Sequence, residues 1–373
     1  MEHTARTVTA RTVAVVALAA AVAAGGWLWM ESERRAADTR DASRRTAVEQ
    51  LKRTLDAREG NLPKADGSLD RTEATGGLAE LAEPPIPSAE SDAIRYAVDD
   101  AGREYMVCTE LEDGSAYYAT GQGTFAGPAV SCAESADPAA VGYVLKARMT
   151  QAGADRYLGT RPRLVSKPFI QRECSSAVDE GQLQGCYTGD HIYLIDLPQQ
   201  EIRPELSVTA AHEMLHAVWQ HLSDSEQKRL TPLIEAAVRT DRDLAERAES
   251  YEDDERTNEM HSILGTEVRD PGPELRRHYA WFLKDRGVIV GRHLAYERTL
   301  DDLKAEIDAL KAELDRLGAQ ADALLAAGDV SGYNALVDPY NALVAEANEQ
   351  VRRYNELTSH TRPDDRERTV EGR

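Results

Sequence analysis

The chain has 373 residues, enough for two or three compact units with a sizeable core. Lys and Arg number 44 against 65 Asp and Glu, a formal charge of -21. A surface of that sign repels nucleic-acid phosphates and anionic lipid head groups, so nucleic acid is excluded as a partner.

Residues 12 to 30, TVAVVALAAAVAAGGWLWM, are uncharged between Arg11 and Glu31 and long enough to cross a bilayer as a helix. Trp27 and Trp29 stand at the far end, where amphipathic rings favour an interface. Residues 1 to 30 are therefore expected to be a retained membrane anchor, the alternative being a signal-peptidase site in the small-residue run Ala19 to Gly26. Arg6 and Arg11 precede the span, while Arg34, Arg35, Arg40, Arg44 and Arg45 follow it, which taken alone places the C-terminal bulk inside. The cysteines argue the reverse. Cys108, Cys132, Cys174 and Cys186 show no CxxC spacing, so disulfides are expected, and the simplest pairing joins Cys108 to Cys132 and Cys174 to Cys186. Such bonds persist only in an oxidising compartment, which places residues 31 to 373 outside the cytoplasm.

Ser32 to Arg58 is polar and helix-favouring, with Ala36, Val48, Leu51 and Leu55 as its sparse apolar positions. A Gly- and Pro-containing stretch follows, closing at Pro84-Pro85-Ile86-Pro87. Strand-like runs Ile94 to Val98, Tyr105 to Leu111 and Tyr117 to Ala119 come next, joined by turns at Asp99 to Gly102 and Glu112 to Gly114. An apolar helix running on into RDASRRTAVEQLKRTLDAREGNLP, a Pro-containing loop and then IRYAVDDAGREYMVCTELEDGS resembles type IV pilins and type II secretion pseudopilins over residues 31 to 132. Residues 1 to 30 lack the mature pilin start, so the resemblance implies a pilin-like α+β stalk over 31 to 136.

A second unit opens near Asp137-Pro138, with a helix expected over Ala139 to Gln151, strands over Arg163 to Ile170 and His191 to Leu197, and a helix over Glu205 to Leu222. That helix holds His212-Glu213-Met214-Leu215-His216, an HExxH string. Residues four apart share one helix face, so both imidazoles can reach one Zn²⁺. Glu213 is placed as the general base for a water whose pKa zinc lowers. The strand HIYLIDL is expected to offer a sheet edge to an extended substrate. Zinc needs a third protein ligand. Asn258-Glu259-Met260-His261-Ser262 is similar to the Asn-Glu-x-x-Ser pattern of thermolysin-like gluzincins, and residues 138 to 295 resemble them; the resemblance implies Glu259 as that ligand. Glu267 and His261 are its rivals. The carboxylate that closes the family pattern is replaced by Ile263, so another group must orient the histidine. His221 is expected to cap the helix end, and His278 or Tyr279 either donates to an oxyanion or packs the core. The acidic run Tyr251 to Glu255 reads as a solvated loop.

Leu300, Leu303, Ile307, Leu310, Leu314 and Leu317 alternate spacings of three and four, a coiled-coil seam. Asn334, Asn341, Asn348 and Asn355 recur every seven residues beyond a turn near Ala326 to Gly332. A helical hairpin over 298 to 360 is expected, its second arm bent at Pro339, followed by a disordered tail over 361 to 373. The fold class is thus α+β: a transmembrane helix, a pilin-like module, a zincin-like peptidase domain over 137 to 297 and a hairpin able to meet a partner or a second copy. The function expected is a membrane-anchored, extracytoplasmic zinc metallopeptidase acting on a peptide or protein. The alternatives are a pilin-like scaffold or adhesion protein with an inactive peptidase unit, and a cell-wall peptide amidase.

Overall fold

A computed structural model describes residues 2–58, 62, 94–99, 102–133, 137–174, 184–196, 203–358 and 370. The chain divides into two compact units, Met1–Ser135 and Ala136–Arg373.

The first unit sets one long helix, α1 (Glu2–Asp56), against a four-stranded antiparallel meander: β1 (Ile94–Val98), β2 (Tyr105–Glu110), β3 (Ser115–Thr120) and β4 (Gly123–Pro128). Ala47, Val48, Leu51 and Leu55 fall on one helix face and pack on Ile94, Tyr96, Tyr105, Val107 and Ala119. The turn at Gly114 has φ +80°, a conformation that glycine adopts without strain. Cys108 on β2 is bonded to Cys132 on the short helix α2 (Val130–Ala133).

The transmembrane expectation does not hold: helix dominates the described residues beside two small sheets, and among them no helix is long and apolar enough to cross a membrane. The exposed part of α1 beyond Met30 is charged, with Glu31, Glu33, Arg34 and Arg35 in succession along it. The side chains up to residue 25, which include most of the apolar run, lie outside the described residues, as do the Pro-containing stretch 63–93 and the tail apart from residue 370.

The second unit builds a three-stranded sheet in the order β5-β7-β6, from β5 (Arg163–Val165), β6 (Gly185–Tyr187) and β7 (Ile192–Ile195). β5 runs parallel to β7, and β6 antiparallel. The helix expected over 139 to 151 ends early. α3 (Pro138–Lys146) stops at Ala147, Arg148 takes a left-handed φ of +54°, and α4 (Gln151–Gly159) starts afresh from its Thr150 cap. The expected strand over 163 to 170 stops at Val165, because Ser166 and Pro168 open helix α5 (Lys167–Glu173). Cys174, at the end of α5, is bonded to Cys186 on β6.

The helix α6 (Arg203–Gln220) packs on β6 and β7 and buries Leu206, Ala210, Ala211, Met214, Leu215 and Val218. Each fully buried large side chain on that face contributes about 1.5–3 kcal/mol relative to exposure. After α7 (Asp224–Val238) and α8 (Arg242–Ala248), α9 (Asp253–Thr266) crosses α6, and α10 (Pro273–Tyr279) follows. The crossing is close at Gly265, where a Cβ would stand 2.3 Å from Leu215 Cδ1.

α11 (Arg286–Ala326) also packs on α6, with Arg292 bonded to Ser207 Oγ at 2.6 Å, and then pairs with α12 (Val330–Leu357) as an antiparallel hairpin. Leu303, Ile307 and Leu314 face Val344, Ala347 and Val351 in its buried seam. α12 continues through Pro339 as one helix. At Val370 the tail is docked, exchanging two hydrogen bonds with the Asn348 side chain.

Candidate metal centre

Three side chains converge from two helices. His212 and His216 lie one turn apart on α6, and Glu259 faces them from α9. Glu259 Oε1 is 3.2 Å from His212 Nε2, and its Oε2 is 3.2 Å from His216 Nε2. One ligand atom from each lies within 4.8 Å of the others, so the group is able to hold a metal ion.

The outer contacts decide which ring nitrogens are free. His216 Nδ1 is 3.1 Å from Asn258 Oδ1, an acceptor, so Nδ1 carries the hydrogen and the Nε2 lone pair points inward. His212 Nδ1 is 3.5 Å from Thr266 Oγ1, whose own hydrogen is donated to the Ser262 carbonyl at 2.8 Å. That hydroxyl can therefore only accept, which sets the same tautomer on His212. Glu267 Oε1 stands 3.8 Å from the same Nδ1. Thr266 and Glu267 thus supply the support that Ile263 cannot, and Glu267 lies on the outer side of His212 rather than among the converging atoms. Two inward ring nitrogens facing a carboxylate bind either a proton or a metal ion, and the donor set fits a divalent metal with nitrogen and oxygen preferences.

Electrostatics follow from burial. Burial opposes charge on Glu259, but the two imidazoles hold it well below the ordinary carboxylate range. Burial likewise pulls His216 down, yet hydrogen bonding and charge from Glu259, with Glu213, raise it to about 9. Glu213 is 6% exposed. Burial lifts its carboxyl above the ordinary range, against the pull of His216 and His212. The Tyr187 backbone amide on β6 favours its charged form.

A cleft of about 80 Å³ opens beside these groups, lined by Gly185, His212, Glu213, Tyr251, Glu259 and His293 among others. β6, not the HIYLIDL strand, forms the sheet edge here, because β7 is the central strand. Tyr187 pairs opposite Ile192 and Gly185 opposite Leu194, while Thr188 N–H bonds back to His191 O. Alternation along an antiparallel pair therefore turns the Gly185 backbone away from β7.

His278 and Tyr279 are not among the residues lining this cleft. The Tyr279 hydroxyl is buried and donates to the His261 carbonyl at 2.8 Å. His278 pairs with His261, their Nε2 atoms 2.8 Å apart, and burial, with Arg229, lowers it to about 4. His261 is thereby turned toward α10 rather than toward His212 and His216. His221, just past the end of α6, bonds the Ala217 carbonyl of its last turn at 2.8 Å. Tyr251, read from sequence as part of a solvated loop, is instead buried with its hydroxyl 3.5 Å from Glu259 Oε1. Its apolar ring beside an acidic run was the available signal. Comparison with protein-family models, with curated proteins and with solved structures returned no match.

Proposed function

We propose that the second unit is a zinc-dependent peptidase in which His212, His216 and Glu259 hold the metal and Glu213 is the general base. The observation that carries this reading is the convergence of two inward Nε2 atoms and a carboxylate, each imidazole held from behind by a second partner. Zinc held there supplies Lewis acidity, which brings the pKa of a water molecule toward neutrality. Glu213, buried at the same mouth, takes a proton from that water and passes it to the departing amine. The outward-facing backbone of Gly185 offers an extended peptide an edge to pair with, which favours peptides over compact ligands. Tyr251 presents a phenolic O–H, the kind of donor that stabilises charge on a carbonyl oxygen. The two disulfides support an oxidising compartment as the place of action.

Elemental analysis after dialysis tests the site, with the parent chain beside His216→Ala. One zinc per parent chain and none in the variant is expected, and a folded parent that retains no metal overturns the reading. Hydrolysis of an unstructured protein, abolished in Glu213→Gln with metal retained, tests the chemistry.

A further inference from the structure

His293 lies on α11, the helix that becomes the first arm of the hairpin, yet it lines the cleft beside His212. Its Nδ1 is 3.4 Å from Glu205 Oε1 and its Nε2 is 3.6 Å from Glu267 Oε2. Glu205 stands on α6 seven residues before His212, two turns back on the same face. Glu267 completes the circuit, with its other oxygen 3.8 Å from His212 Nδ1. Arg247 fixes Glu267 from α8 at 2.6 Å. The contacts form a closed ring from α6 through α11 and the end of α9 back to α6. The imidazole hydrogen-bonds Glu205 through one nitrogen and stands in ion-pair range of Glu267 through the other, so it bridges the two acids.

We infer that His293 is a positioning residue for the metal centre: held between Glu205 and Glu267, it sets the Glu267 carboxylate behind His212 and thereby couples the hairpin helix to a ligand. This rests on the metal reading above. Groups behind metal-ligating histidines typically alter metal affinity by about 10- to 100-fold when removed.

The test is zinc affinity of the full chain, measured by competition with a chromogenic chelator, for the parent, His293→Ala, His293→Gln and Glu205→Gln. Far-UV circular dichroism is recorded on each. His293→Ala is expected to weaken zinc by about 10-fold or more at unchanged helix content. His293→Gln, which keeps one donor, is expected to recover part of that loss, and Glu205→Gln to weaken zinc less than His293→Ala. Equal affinity in parent, His293→Ala and Glu205→Gln overturns the inference while leaving the metal site standing. Equal loss in the Ala and Gln variants also overturns it, since a purely packing role would not distinguish them by donor. A parent that binds no zinc removes the metal reading itself. If His293→Ala does not fold, His293→Gln and Glu205→Gln decide alone, and parental affinity in both overturns the inference.

Discussion

Asn258 Oδ1 lies 3.1 Å from Nδ1 of His216, so the residue before one ligand holds the ring of another. The contact joins α9 to α6 across their crossing and fixes the imidazole both in rotation and in tautomer. Asn258→Ala is expected to weaken zinc by about 10- to 100-fold, and Asn258→Asp, which keeps an acceptor, to weaken it much less. Chelator competition measures both, and equal affinities in the parent and Asn258→Ala count against the assignment.

Zinc uptake is expected to release a proton. Glu259 raises His216 to about 9, above the ordinary histidine value near 6.5, so without metal this imidazole is charged at pH 7. The stabilisation it contributes is full below about pH 6.5 and is lost as pH rises through about 9. A metal competes with that proton, so zinc affinity is expected to climb with pH up to about 9 and then level. Calorimetry in buffers of different ionisation enthalpy reads the proton count, and a count of zero at pH 7 contradicts the pairing.

The two tyrosines should separate by phenotype. Tyr251 lines the cleft, whereas Tyr279 is buried with its hydroxyl on the His261 carbonyl. Tyr251→Phe is expected to lower kcat by about 100-fold with little change in melting temperature, by analogy with removal of other oxyanion donors. Tyr279→Phe is expected to cost about 0.5–1.5 kcal/mol of stability, because it removes one buried hydrogen bond to a helical carbonyl, with kcat retained in the folded fraction. Steady-state kinetics beside urea unfolding distinguishes these outcomes.

Gly265→Ala should destabilise the second unit by about 1–3 kcal/mol. The new methyl would meet Leu215 Cδ1 at 2.3 Å and the Tyr279 ring at 3.0 Å, both side chains fully buried. Thermal unfolding checks it, and a parental melting temperature would show that α6 and α9 separate more easily than their contact implies.

Reduction should loosen the cleft before it unfolds the protein. Cys174–Cys186 closes a short loop, with a sequence separation of 12, and ties α5 to the edge strand β6. Loss of a bond over such a loop costs about 3 kcal/mol, mainly by freeing the unfolded chain, and it also releases β6 from α5. Hydrogen exchange at Tyr187 on β6 is expected to rise on reduction ahead of exchange in α6.

The parts of the site that are legible in sequence are those set by helical spacing. His212, Glu213 and His216 are local, and their geometry follows from residues one turn apart. Glu259 was reachable only through a resemblance, since nothing in its own helix marks it as facing another. Thr266, Glu267, Tyr251 and His293 were placed by long-range packing, for which no periodicity exists to read. The sheet edge was misread for a different reason. Ile192, Leu194 and Ile195 are all buried, and such a near-continuous apolar run marks a central strand rather than an exposed one. In the first unit, alternation and turn residues around Gly102 and Gly114 sufficed for three strands, while β4, rich in glycine, carried too weak a pattern.

α11 is a single helix of 41 residues whose first turns, at Ile289 and Val290, are core to the second unit and whose last turns form the hairpin tip. The sequence-based boundary at 297/298 falls inside it. The hairpin is therefore not a module that can be transplanted: a cut at that boundary leaves a frayed stump beside the cleft, and a cut before residue 293 takes part of the cleft wall with it.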